Sequence, residues 1–326
     1  MTVFWAALTG LGLGYLLERG DLCFHSTLRG LIRLPRKPDL FRAYVLAVVV
    51  AAPLVWGLRL LGWIEPWIPP FNWAANIVGG LLFGIGMVIA ATCITGLFYK
   101  LGHGMLGTLA ALVTWAVGDI LTYHGPLAPL RNALNSPSIT VTGQPATLTN
   151  LFGPAGWALT GLVWLAAVVW LWQSPQSGRG QYWAWPRLGL TVGLFTGLAW
   201  LAAAAGGSNY TFGTSGVPTS LYLALTQGSP LWSPWITVAL VSLIPGAFAA
   251  AVQSGTLWVR GETGRRYLQL AGGGFLMGVG AAISGGCNLG HSLVGVPLLS
   301  LGSIVTTLAM AGGVWLAHFA SQRLVR

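Results

Sequence analysis

Long apolar runs separated by short polar connections dominate this chain. Nine of them, at 3–19, 42–62, 73–92, 104–123, 151–172, 188–206, 235–257, 267–286 and 297–320, approach the roughly 20 residues an α-helix needs to cross about 30 Å of hydrocarbon. Runs of this length exclude an outer-membrane barrel, whose strands alternate over about ten residues. The pattern predicts an all-α polytopic membrane protein with about nine transmembrane helices. Two further pieces, Asp21–Leu34 and Ser208–Thr226, are too short to cross, carry Gly or Pro, and each directly follow a span. They are expected to be re-entrant, which a membrane tolerates only where protein or a cavity shields the non-helical backbone.

Charge adds a direction to this pattern. Only 7% of residues are charged, against about 25% in a soluble domain. The basic ones gather in alternate connections: Arg33, Arg36, Lys37 and Arg42; Arg179 and Arg187; Arg260, Arg265 and Arg266; and Arg323 with Arg326 at the end. The positive-inside rule puts all four groups in the cytoplasm, with the N-terminus outside and the C-terminus inside. The intervening connections, Gly62–Asn72, Thr122–Asn150 and Gln227–Pro234, are poor in basic residues and belong outside. A net charge of +10 spread over short loops orients a membrane protein; it does not suggest nucleic-acid binding. The opening MTVFWAALTGLGLGYLL has no basic n-region, so the first span is expected to be retained. Trp63, Trp67, Trp73, Trp157, Trp232 and Trp235 lie near span ends, where an aromatic belt belongs.

Two stretches repeat one another. GLLFGIGMVIAATCITG (Gly80–Gly96) and GFLMGVGAAISGGCNLG (Gly274–Gly290) place glycines at the same steps around a cysteine, with a constant offset of 194 residues (274 − 80). Gly80, Gly84 and Gly86, like Gly274, Gly278 and Gly280, are small-residue positions of the kind that let membrane helices approach closely. The topology sends the two cysteine helices in opposite directions. The chain therefore reads as a single transport domain over 1–326, with inverted repeats at about 1–125 and 186–320 linked by the span at 151–172. Aligning Gly12 with Gly197, an offset of 185, brings Cys23 onto Ser208. Inverted repeats meeting around broken helices near the midplane are a recurring transporter plan.

Three cysteines, Cys23, Cys93 and Cys287, all lie in glycine-bearing apolar settings. Cysteine is often a small buried hydrophobe, but duplication of its surroundings argues for a role on a pathway. Ser284, Gly285 and Gly286 precede Cys287, and Asn288, Gly290 and His291 follow it; Thr95, Gly96, Lys100 and His103 follow Cys93. Such residues end helices and expose backbone N–H groups that hold anions. A neutral thiol is a weak, polarisable hydrogen-bonding group, suited to a large, soft, sulfur-containing anion. Several weak sites in series allow both entry and release. Cys93 has no histidine, lysine, arginine or carboxylate within six positions, so no shared Cys-His catalysis is indicated. Without close CxxC or CxxxH spacing, neither a metal nor another cofactor is expected.

The candidate pathway comprises Cys23, Cys93, Cys287, Ser208, Asn288 and His291, with Arg19 and Lys100 near the inner exit. Cys93 and Cys287 are expected to face one another at the centre, Cys23 to lie toward the cytoplasm and Ser208 toward the exterior. Glu18 is placed to neutralise Arg19 or Arg29, and His124 and Arg131 belong to the outer mouth. Asp119 is an intramembrane carboxylate, for which proton coupling and structural pairing both stand open.

With these motifs assembled, the chain resembles the YeeE/YedE family of bacterial sulfur-compound transporters over essentially its whole length. The resemblance rests on GDLCFHSTLRG around Cys23, on the GxxxGxG-x6-C helix leading to Cys93, and on GVGAAISGGCNLGH around Cys287. It implies a bacterial inner-membrane protein, not an enzyme, that passes thiosulfate inward through an hourglass for sulfur assimilation. Cys23, Cys93 and Cys287 would contact the anion through weak S–H···S hydrogen bonds. A small cytoplasmic TusA-like sulfur-handling protein is the implied partner, beside the surrounding membrane lipid. Some relatives serve other sulfur or selenium compounds, and a membrane sulfurtransferase that forms a cysteine persulfide is the alternative from another class.

Overall fold

A computed structural model describes residues 1–176 and 179–324. The chain folds into α1 (Thr2–Gly20), α2 (Phe24–Ile32), α3 (Asp39–Leu60), α4 (Trp73–Ala90), α5 (Ile94–Gly102), α6 (Thr108–Tyr123), α7 (Ala128–Leu134), α8 (Leu148–Phe152), α9 (Pro154–Trp172), α10 (Trp185–Ala205), α11 (Val217–Gln227), α12 (Pro234–Gln253), α13 (Gly264–Ser284) and α14 (Leu301–Leu324). A π-helical turn, Leu289–Gly295, precedes α14, and Thr140–Val141 pairs antiparallel with Gln144–Pro145. Each of the nine expected spans coincides with one of these helices. Seven helices, with α4 and α5 taken together, are long and apolar enough to cross a membrane. The count of nine crossings is not itself established, since α6 has only 16 residues. Of the terminal basic pair, the Arg323 side chain and all of Arg326 lie outside the described residues.

Helix partners follow a regular scheme. α1 packs on α12 and α10 on α3; α4 and α13 pack on each other, with α14 against α4 and α6 against α13. Exchanging α1, α3, α4 and α6 with α10, α12, α13 and α14 maps this scheme onto itself. A proline lies inside both α3 (Pro53) and α12 (Pro245). α9 stands apart, mostly exposed, with its Trp164 Nε1 donating to the Val49 carbonyl at 2.9 Å.

Glycine sets how closely the central helices approach. A Cβ at Gly84 would lie 2.3 Å from the Met310 carbonyl of α14, and one at Gly278 would lie 2.2 Å from the Trp115 carbonyl of α6. Gly80 and Gly274 meet the same two helices. The third members turn inward: a Cβ at Gly86 would lie 2.8 Å from Gly273 O of α13, and one at Gly280 would lie 2.6 Å from Phe83 N of α4. The first two glycines of each trio thus fit the flanking helix, and the third fits the opposite cysteine helix.

Connections join in two separate sets. On one face His103 O accepts from Trp258 N and Arg19 O from Trp183 N, while Arg179 Nη1 donates to Gly20 O. This face carries the loop arginines and is called the basic face below. On the other, Trp67 N donates to Asn209 O, Ile139 N to Phe71 O and Leu148 N to Leu299 O.

Candidate functional site

Four long helices stop on the same device. α1, α4, α10 and α13 end at a left-handed residue: Asp21 (φ 44°), Ala91 (φ 50°), Gly207 (φ 74°) and Gly285 (φ 79°). After each, the next N–H bonds back five residues: Leu22 to Leu17 O, Thr92 to Met87 O, Ser208 to Ala203 O and Gly286 to Ala281 O. These are Schellman-type ends, which satisfy the last carbonyls and stop the helix. Two residues beyond the left-handed position stand Cys23, Cys93 and Cys287, the first two as N-caps of α2 and α5. Each thiol is therefore placed by a helix break. The fourth break puts Asn209, not Ser208, in the equivalent place: the offset is 186 (207 − 21), one more than the 185 expected from Gly12 and Gly197.

Cys23 and Cys93 form a buried pair with their sulfurs 3.5 Å apart. The Cys23 sulfur accepts from Cys93 N at 3.3 Å and lies 3.6 Å from Thr92 Oγ1; the Cys93 sulfur accepts from Gly96 N at 3.3 Å. Both therefore sit in the positive field at the start of a nine-residue helix. Gly96 leaves space beside them, since a Cβ there would be 2.3 Å from Thr92 Oγ1 and 3.2 Å from the Cys23 sulfur. Lys100 Nζ reaches back to donate to Thr92 Oγ1 at 3.2 Å, so a cation stands one hydroxyl away from the thiols. Tyr99 donates to Asp21 Oδ1 at 2.9 Å.

Cys287 belongs to a second polar group. Asn288 Nδ2 donates to Thr95 Oγ1 at 3.3 Å, joining the two groups, while Asn288 Oδ1 is buried without a partner. Tyr44 OH donates to the Asn288 carbonyl and Tyr210 OH to the Gly290 carbonyl. Thr214, with a buried hydroxyl free of a close hydrogen-bond partner, faces the Cys287 thiol. The direct sulfur contact is thus Cys23–Cys93, and Cys287 is linked to that pair through Asn288 and Thr95. That differs from the expected facing pair of Cys93 and Cys287.

Cavities lead in from both sides. On the face opposite the basic one, a cavity of about 740 Å³ is lined by Ser208, Tyr210, Thr214, Gly286 and His291. Ser208 Oγ is spent on the Tyr210 carbonyl, and both His291 ring nitrogens are engaged, with Ser303 Oγ at 3.0 Å and Ser284 O at 3.1 Å. His291 therefore holds the break after α13 together while lining the cavity wall. On the basic face a basin of about 760 Å³ is lined by Asp21, Arg29, Arg33, Lys37 and Arg179. Arg19 is not among the residues lining this basin; its Nη1 lies on Ser254 Oγ at 2.5 Å and its guanidinium 5.7 Å from the Trp183 ring.

Several charged side chains have partners that their sequence positions do not announce. Glu18 pairs with His103 Nδ1 at 2.5 Å, not with Arg19 or Arg29. Arg131 Nε donates to Ala282 O at 2.9 Å, and its guanidinium stacks 4.1 Å from Tyr123. It thereby caps α13. Asp119 is fully buried: one oxygen accepts from Gly216 N at 2.9 Å, the other from Thr219 N at 3.2 Å and Thr219 Oγ1 at 2.6 Å. It caps the start of α11. Thr95 is among the residues that the sequence singles out after Cys93, whereas Thr92, Tyr44 and Thr214 escaped sequence reasoning; of these three only Thr92, next to Cys93, carried a positional signal.

Residues 19–316 match the model of the sulphur transport family. The chain is 29% identical to a thiosulfate transporter TsuA from Spirochaeta thermophila, covering 96% of this chain and 97% of that one. It is 25% identical to the thiosulfate transporter TsuA of Escherichia coli over 97% and 95%. A probable transporter YedE from Salmonella typhimurium is 30% identical over 46% of this chain and 35% of its own.

Proposed function

This chain belongs to the sulphur transport family and is a multi-pass membrane transporter of sulfur compounds, and we propose that its cargo is thiosulfate, carried inward across a bacterial inner membrane. The relatives named for that anion and aligned over nearly the full length support the substrate. The observation that carries the route is the buried Cys23–Cys93 pair beside Lys100, joined through Thr95 and Asn288 to Cys287. A thiosulfate ion offers a soft terminal sulfur to the thiols and hard oxygens to N–H, hydroxyl and ammonium donors. In this reading it passes from the Ser208–Tyr210 cavity to Thr214 and Cys287, then to Cys93 and Cys23, and leaves past Lys100 and Arg19.

The basic face is cytoplasmic in this scheme, the N-terminus is outside, and the two halves are inverted repeats. The self-mapping helix contacts, the four matching helix breaks and the segregation of loop arginines support that arrangement. A small TusA-like protein on the basic face receives the sulfur.

Uptake into proteoliposomes of thiosulfate labelled separately at its two sulfur atoms tests the proposal. Both labels should enter in equal amounts. Release of labelled sulfite outside, with the other sulfur retained on the protein as a persulfide, would instead establish a sulfurtransferase.

A further inference from the structure

A groove of about 780 Å³, separate from the two pathway cavities, opens between α2, α4, α13 and α14 toward the basic face. Its walls include Ile85, Val88, Ile89 and Leu316, and Ile89 and Leu316 are 37% and 62% exposed on helices that turn outward. In a membrane those positions face acyl chains. Basic groups sit against this apolar wall. Arg266 is fixed in place, Nη1 on Ile89 O at 3.4 Å and Gln269 Oε1 at 3.3 Å, and Nη2 on Ala90 O. The Arg29 side chain is exposed and makes no hydrogen bond among the described residues, and His318 is half-buried beside Gln322. No Asp or Glu is among the groove's lining residues.

A second observation points to a ligand. His25 lines the same groove, is only 4% exposed, and its Nδ1 is buried without a hydrogen-bond partner. A buried polar atom left unpaired costs about 1–3 kcal/mol, so a group able to donate to the Nδ1 lone pair or accept from its N–H, as a hydroxyl can do either, would be favoured in the groove. The occupant must join an anion to a long apolar body and carry a hydroxyl.

We propose that this groove binds an anionic phospholipid of the leaflet on the basic face, of the phosphatidylglycerol type. The phosphodiester lies between Arg29, Arg266 and His318, a glycerol hydroxyl pairs with His25 Nδ1, and the acyl chains follow Ile89 and Leu316. Basic pockets between membrane helices recognise such headgroups by charge. The site adjoins the pathway in two ways. Arg29 also lines the inner basin, and His25 lies two residues from Cys23 on α2. A bound lipid therefore draws Arg29 from the exit and braces the helix capped by the inner thiol.

Native mass spectrometry of the full chain in neutral detergent, with palmitoyl-oleoyl phosphatidylglycerol and the matching phosphatidylcholine in competition, tests this independently of transport. Retention of the anionic lipid should exceed that of the neutral one by about thirtyfold, the scale two juxtamembrane cations supply. The Arg29→Gln/His318→Gln double variant, and Ser321→Glu, which places a negative charge on the groove's exposed edge, should each lower the preference several-fold, since Arg266 remains in both. Melting temperatures in lipid-free detergent confirm that the variants are folded. Equal retention of both lipids, or an unchanged preference in the two folded variants, would overturn the proposal. So would displacement of the lipid by inorganic sulfate, which would mark the groove as a site for free anions.

Discussion

At the scale of single residues, Cys93 holds the most connected position in the centre. Its N–H donates to the Cys23 sulfur, its own sulfur accepts from Gly96, and it caps α5. Cys93→Ala removes both the cap and the sulfur and should reduce thiosulfate uptake in proteoliposomes at least tenfold. Cys93→Ser keeps a capping oxygen, among the best N-cap groups, and should restore stability without restoring uptake. A serine variant as active as the parent would show that the cap, not the sulfur, is what transport needs. Asp119 makes the opposite case. Its oxygens are committed to three donors at the start of α11, so Asp119→Asn must turn an amide N–H toward groups that donate. Losing charge-assisted hydrogen bonds of this kind costs about 1.5–3 kcal/mol. The melting temperature should fall while uptake per folded molecule persists; an equally stable variant with no uptake would restore Asp119 as a proton carrier.

Elements explain why the thiols converge, and why part of that convergence was legible. The paired phrases around Cys93 and Cys287 displayed the glycine rows and the helix ends, because helix contact at backbone distance needs glycine at fixed steps. The short segments were harder to read. α5 runs on from α4 in the same apolar register, and the only local sign of the break is a left-handed alanine, Ala91, a residue that does not advertise that conformation. More residues separate the break at Gly207 from α11 at Val217 than separate the break at Asp21 from α2 at Phe24. Thr214 from that longer connection, not Ser208, therefore stands beside Cys287, which no alignment by glycine steps locates. The pairing of α2 with α5 has a direct test. Two thiols with sulfurs 3.5 Å apart need approach by only about 1.5 Å to reach the disulfide distance of about 2.05 Å. Diamide should oxidise Cys23 and Cys93 to an intramolecular disulfide, itself being reduced to the hydrazine, and should halt uptake until dithiothreitol is added. Peptide mapping that finds Cys287 in the bridge instead would refute the arrangement of the breaks.

Over the whole molecule, each apolar run falls on a helix to within a few residues, because the length a span requires dominates local preference. Pairing between distant charges, such as Glu18 with His103 and Arg131 with the end of α13, was invisible because it depends on which helices meet. Those pairings bear on what drives transport. Glu18 is held by His103, and both oxygens of Asp119 are occupied by α11, so neither buried carboxylate stands free to exchange a proton with each passing anion. We therefore expect uncoupled movement down the electrochemical gradient. A dianion moving inward against an inside-negative potential loses about 4.6 kcal/mol per 100 mV, twice the roughly 2.3 for one charge. Since about 1.4 kcal/mol is a factor of ten, passive inward flow then requires an external excess of about three orders of magnitude, a gradient that rapid consumption of the anion inside would maintain. In proteoliposomes, a valinomycin-clamped inside-negative potential of about 100 mV should depress steady-state thiosulfate accumulation by that factor, and an inside-positive one should raise it. A pH gradient alone, acid outside, should leave accumulation unchanged. Accumulation that resists the negative potential and follows the pH gradient would show that protons travel with the anion.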